Sequence, residues 1–221
     1  MRTLLRALIV LVPWPIRRHL LQWIYGYRLH PSSRIGLAWV FPRKLVMERG
    51  ARIGHLTVAK GMDLVAMGDE ATIGRLNWIT AYPSGHSRHF AHLRERRPQL
   101  LLGAHAAITH RHIIDCTEQV KIGRYTTFAG FRSQVLTHSI DLTAGLQDAK
   151  PVVIGDYCFV GTACTLLGGS ILPDYSVLGA NALLNKAQHE RYRLYAGVPA
   201  APVAQLDGEM KYFSRPTGFV Q

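Results

Sequence analysis

Between residues 154 and 184 an aliphatic side chain falls at every sixth position: Ile154, Val160, Leu166, Leu172, Leu178 and Leu184. Four residues after each of the first five stands a small one: Cys158, Cys164, Ser170, Ser176 and Ala182. An α-helix repeats near 3.6 residues and a flat strand at 2, so a strict hexad fits neither. It fits a coil of short strands joined by turns, three hexads to a triangular turn, each placing one aliphatic residue in the core. Gly155, Gly161 and Gly179 directly follow an aliphatic position, where a corner needs a residue without a side chain.

Weaker copies lie upstream: IGLAWV from Ile35, IGHLTV from Ile53, IGRLNW from Ile73, LGAHAA from Leu102 and IGRYTT from Ile122. With these motifs the chain resembles the hexapeptide-repeat acyltransferases. The resemblance implies an all-β, left-handed parallel β-helix over residues 33–205, with loops at 83–101 and 141–153. A helical segment, 1–32, precedes it and a tail, 206–221, follows it.

The register carried forward from Ile122 runs through Phe128 to Gln134, where an aliphatic is expected, and then to Ile140. Ile140 to Ile154 is not a multiple of six, so the intervening chain leaves the coil as a loop. His138 stands at the lip of that loop, and loops on a rigid scaffold are where chemistry is commonly placed. LTHSIDL, the KPVVIG re-entry and YAGVPA, in one order, are similar to the galactoside and maltose acetyltransferase group. That resemblance implies transfer of an acetyl group from acetyl-CoA to a saccharide hydroxyl, in surface polysaccharide or glycolipid biosynthesis, with His138 as general base. The chemistry needs such a group, because an alcohol is too weak an acid to attack a thioester unaided, and imidazole titrates near pH 6.5.

Asp115 and Asp141 are the candidates to orient the histidine. The resemblance places Asp115 on the acceptor side; His110 and His112 stand where some relatives carry an asparagine for the sugar, a departure from the pattern, and with Asp141 they complete the candidate acceptor residues. For the acyl donor it implies Phe159, Gly161, Thr162, Gly179, Ala180, Asn185 and Lys186, with a backbone N–H near Gly161 and Thr162 facing the tetrahedral oxygen. Lys186 is the natural phosphate partner; relatives often place arginines after the AG-x-P segment where this chain has AAPVAQ, so Arg191, Arg193 or Lys211 would have to compensate. A homotrimer also follows from the resemblance, and no metal is expected.

Charge bounds the partners. Lys and Arg number 26 against 14 Asp and Glu, a formal +12, which favours acidic ligands, whereas 48% hydrophobic residues exclude a disordered basic chain. Nucleic acid, anionic lipid and nucleotide-like cofactors all qualify by charge, but nucleic acid has no motif to support it. The apolar run Leu4–Val12 is far shorter than the roughly 20 residues needed to cross a bilayer, and no small-residue cleavage site follows it. Leu4, Leu5, Leu8, Ile9 and Val12 share a helical face with Arg2 and Arg6 away from it, a pattern that suits either a membrane interface or packing on the domain. Three cysteines with no CxxC fit a reducing, cytoplasmic setting, and Cys158 and Cys164 fall on inward positions as core. The basic stretch at 83–101 reads as a solvated loop. The aromatic tail MKYFSRPTGFVQ packs on a neighbour or caps the coil.

Two other readings of a β-helix stand beside this one. A γ-carbonic-anhydrase-like zinc enzyme is suggested by the five-residue step from His105 to His110, but a third histidine at a matching coil is missing and zinc catalysis needs three protein ligands. A non-catalytic scaffold is the other.

Overall fold

The computed structural model describes residues 2–85 and 89–220. Each hexad forms one short strand and one turn, and successive coils stack their strands into three parallel sheets. Face one starts with Arg28–Leu29 and ends with Ile171–Leu172. Face two starts with Arg34–Ile35 and runs through Val177–Leu178 to Arg193–Ala196, against which Ala201–Gln205 turns back antiparallel. Face three runs from Trp39–Phe41 to Leu183–Leu184.

The hexad aliphatics Ile154, Val160, Leu166, Leu172 and Leu178 are completely buried inside this prism, as are Cys158, Cys164, Ser170 and Ser176. Burial pushes the Cys158 thiol up to about 12, and it donates to the Pro173 carbonyl at 3.0 Å, so it serves as packing. The corner glycines answer to backbone approach: a Cβ on Gly123 would sit 2.4 Å from the backbone of Gly155, and one on Gly161 would sit 2.7 Å from the Ala180 nitrogen. Neither coil could close on a larger residue without moving its neighbour.

The expected register slips in one place. The turn after Phe128 holds one residue more than a hexad allows, so Val135, not Gln134, enters the core, and Gln134 points to solvent. Ile140 is 65% exposed, because the chain has already left the coil as a β-hairpin that pairs His138–Asp141 with Leu146–Ala149. A two-stranded arm therefore replaces the expected irregular loop.

Five aromatic rings climb the edge between faces one and two. His105, Tyr125, Tyr157, Tyr175 and Tyr192 stack nearly parallel, with centroids 4.7 to 5.4 Å apart. Each occupies a left-handed corner, with φ between 55° and 61°. Coils rise about 4.8 Å, close to the stacking distance of rings, so identical corners align them without adjustment. The tail lies along this ladder of its own chain: Phe213 meets Tyr175 and Tyr192 edge-on, the Tyr212 hydroxyl donates to Cys158 O, and Arg215 stacks on Tyr212.

Two helices, α1 (Arg2–Leu11) and α2 (Trp14–Tyr25), close the N-terminal end of the prism. Ile9 and Leu21 are buried against the first coil, and the Arg17 guanidinium donates to the carbonyls of Val10, Ile35 and Gly36.

Candidate active site

The edge between faces three and one carries every large excursion of the coil. Residues 81–98 leave it after strand Trp78–Thr80, Asp115 ends strand Ile113–Asp115 one coil on, and the hairpin leaves it after Gln134–Leu136. Parallel pairing sets Asp115 beside Leu136, which brings its carboxylate under Thr137 and His138.

Asp115 Oδ2 accepts the His138 ring Nδ1–H at 2.8 Å, the His138 backbone N–H at 3.1 Å, the Thr137 N–H at 2.9 Å and the Thr137 hydroxyl at 2.6 Å. Its Oδ1 accepts the Thr117 N–H and hydroxyl. Burial pushes this carboxyl upward, but the hydrogen bonds from His138, Thr117 and Thr137 outweigh it and hold the value down at about 2. The carboxylate is therefore charged and only accepts, which places the imidazole proton on Nδ1 and leaves Nε2 as a base. The same hydrogen bond raises the His138 pKa above its ordinary value against a smaller opposing effect of burial.

Described residues on both flanks of the excursion 81–98 build a wall against this imidazole. Tyr82 and Phe90 meet its ring edge-on, with centroids 6.2 and 5.9 Å away. Phe90 rests on the Arg96 guanidinium, which donates to the carbonyls of Tyr82, Pro83 and Thr117. His89 Nδ1 and the Gln147 side-chain oxygen lie 2.9 Å apart, joining loop to hairpin. The stretch expected to be a solvated basic loop is thus partly structural: Arg94 and Arg97 are exposed, but Arg96 is buried. His86, Ser87 and Arg88 of that stretch lie outside the described residues. Replacing Arg96 by Met is expected to cost about 1–3 kcal/mol, since buried carbonyls lose their donor. Limited trypsin digestion should cut faster after Arg94 in that variant.

The other expected site residues are distributed around the prism. His112 is buried; its Nδ1 accepts the Ser133 N–H and its Nε2 lies 3.0 Å from the Thr109 hydroxyl. Burial, with His110 nearby, lowers its pKa to about 4, so it is a neutral core group and not an acceptor ligand. His110 lies on the edge between faces two and three, where its Nδ1 accepts the Arg75 N–H. His105 stacks in the ladder on a third edge, so the five-residue step of histidines does not converge within one chain. Among the described residues, no three side chains of His, Cys, Asp or Glu group to hold a metal ion. Asp141 is spent on the hairpin turn, accepting the N–H groups of Thr143 and Ala144, and Asp115 is the group that orients His138.

The donor-side residues divide between two edges. Asn185 and Lys186 are exposed on the edge of His138, two coils further along. Gly161, Thr162, Gly179 and Ala180 lie on the edge between faces two and three, and Phe159 on face two meets Tyr212 edge-on. The Gly161 N–H donates to Leu178 O and the Gly179 N–H to Tyr195 O, so the expected oxyanion donor at Gly161 is already committed. Arg191 and Arg193 are paired with Asp174 and Glu190.

The architecture is that of a left-handed parallel β-helix, and its structural neighbours are acyltransferases. A maltose O-acetyltransferase from Clostridium difficile 630 superposes with a TM-score of 0.51 at 16% identity, over 63% of this chain and 68% of that one. A point mutant of AntD, an N-acyltransferase from Bacillus cereus solved with dTDP and coenzyme A, gives 0.54 at 11% identity over 89% and 94%. The polysialic acid O-acetyltransferase OatWY gives 0.52 at 18% identity over 86% and 90%. No family model and no curated protein matches the chain by sequence.

Proposed function

We propose that this chain is a CoA-dependent O-acyltransferase that moves an acetyl group from acetyl-CoA to a hydroxyl of a saccharide. The observation that carries the reading is the His138–Asp115 pair, with Nδ1 committed to a charged carboxylate and the imidazole side chain 36% exposed. Nε2 takes the acceptor's hydroxyl proton as its oxygen attacks the thioester carbonyl. The C–S bond then breaks as the tetrahedral intermediate collapses, and the imidazolium returns the proton to the sulfur. Asp115 keeps its charge throughout and stabilises the imidazolium in between. Lys186, as an exposed point charge, suits a phosphate of the donor.

A homotrimer fits the division of donor-side residues between two edges, because chains packed side by side set one edge of a chain against the other edge of its neighbour. The edge between faces two and three also exposes Leu56, Leu76 and Phe131, with Trp78 and Ile113 outward on face three, an apolar strip suited to a neighbour. The acceptor is read as a saccharide of surface polysaccharide or glycolipid assembly; the structure of AntD with dTDP-4-amino-4,6-dideoxyglucose and coenzyme A shows a nucleotide sugar on a similar fold.

The test is thiol release from acetyl-CoA in the presence of a panel of sugars and nucleotide sugars. Release that requires an acceptor supports the reading. Absence of release with every acceptor, together with no CoA binding by calorimetry, would sink it and return the scaffold reading.

A further inference from the structure

Besides the Ile9 and Leu21 that it buries, the helical cap presents apolar side chains on its outward face. An ordinary surface helix turns its apolar stripe inward and its charges outward. Here Arg17 is buried under the cap and Arg6 lies over the Phe41 ring at the end of the coil. Outward stand Leu4, Leu8 and Leu11 of α1, 67%, 56% and 72% exposed, at the i, i+4, i+7 spacing of a single stripe. Ile16 and Trp23 of α2 form a second one, and Trp23 is 84% exposed. The cap is nevertheless firmly seated, because the three carbonyl bonds of Arg17 and the Trp14 Nε1–H to Ser33 O tie both helices to the first coil.

Charge says what this surface meets. Residues 1–60 hold eleven Lys and Arg and one carboxylate, Glu48, whereas the remaining chain is nearly balanced, with fifteen cations against thirteen acids. Arg28, Arg34, Arg43, Lys44, Arg52 and Lys60 are all exposed on the coils next to the cap. An apolar stripe bordered by such a cationic belt matches the boundary of an anionic bilayer, where acyl chains lie just beneath negative headgroups and an indole sits between them. A second copy docked cap to cap would instead bring two cationic belts together, which is repulsive. No described helix is long and apolar enough to cross a membrane, so the cap lies on the surface.

We infer that α1 and α2 form a peripheral docking face for an anionic lipid bilayer. The axis of the prism then carries the rest of the molecule away from the membrane. His138 lies four coils beyond the first, about 20 Å along the axis at the rise of stacked strands. The inference does not depend on the catalytic reading, since vesicle binding needs no acceptor.

Flotation of the purified full chain with vesicles of phosphatidylcholine, or of phosphatidylcholine with phosphatidylglycerol, tests it. Partitioning onto the anionic vesicles is expected to exceed that onto neutral ones by about tenfold or more and to weaken with added salt. Replacing both Leu8 and Trp23 by Glu, at exposed positions, should reduce it by about tenfold or more while leaving the circular dichroism spectrum unchanged. No partitioning of the wild type onto anionic vesicles overturns the inference, as does equal, salt-independent partitioning onto both kinds. A wild-type assembly that disperses in the doubly substituted protein, without vesicle binding, would assign the stripe to a second copy. Because the vesicle and salt comparisons use the wild type, they decide the matter even if a variant fails to fold.

Discussion

Replacement of His138 by Ala is expected to lower acetyl transfer by about 10²–10⁴, the usual contribution of a positioned base. CoA binding by calorimetry and the circular dichroism spectrum should be unchanged, because the ring is partly exposed and, among the described residues, meets Tyr82 and Phe90 edge-on and Asp115 through one hydrogen bond. Undiminished turnover would remove His138 from the chemistry. Asp115→Asn gives a more discriminating result. Oδ2 faces four donors and Oδ1 two, so the amide oxygen takes the Oδ2 position and the NH₂ is turned against the Thr117 N–H. The Nδ1 proton keeps its acceptor but loses the charge that raised its pKa. In the wild type, kcat/KM should climb with pH through a limb lying above about 6.5, the unperturbed imidazole value. In Asp115→Asn that limb should move to lower pH, with a smaller fall in kcat than in His138→Ala.

Stability runs in the opposite sense to activity at this pair. A histidine whose folded pKa is raised stabilises the fold fully below about pH 6.5, and that contribution fades as pH rises through the raised value. In the proposed mechanism activity needs the neutral ring and is expected to gain over the same interval. Asp115, held near 2, stabilises above about pH 3.9 and loses its contribution as the pH falls toward 2.

The hexads of residues 154–184 made the prism legible, because each aliphatic position sees the same environment and the pattern repeats without error. Upstream the period was blurred by wider turns, and the slip after Phe128 showed only as Gln134 standing where an aliphatic was due: the single extra residue that moves Val135 inward could equally have been a polar substitution in an unbroken hexad. His138 stood out as a candidate because it sits where the pattern fails. Its partner could not be fixed, since Asp115 precedes it by a whole coil, and only the parallel pairing of Asp115 with Leu136 reveals the contact. The wall of Tyr82, Phe90 and Arg96 was missed because charge in a long excursion resembles a solvated loop. What could have drawn attention was the insertion itself, which leaves the coil on the same edge, two coils before the hairpin.

Phe128→Ala is expected to destabilise the protein by about 3–5 kcal/mol, measured by urea unfolding at fixed protein concentration. Phe128 has no exposed surface, sits in the ladder between Ile108 and Val160, and takes the His112 ring edge-on at 4.9 Å. Its removal opens a cavity in the middle of the prism, where coils above and below are fixed by backbone bonds and can collapse little. Val135→Ala should cost about 1.5–3 kcal/mol if its buried side chain is the true successor of Phe128 in the core. Ile140→Ala should change stability by no more than about 0.5 kcal/mol, since its side chain stands on the hairpin in water. A reversal, with Ile140 costly and Val135 tolerant, would restore the unbroken hexad through His138. That outcome would pull His138 back into the coil and separate its ring from Asp115, so the stability series also tests the geometry on which the catalytic reading rests.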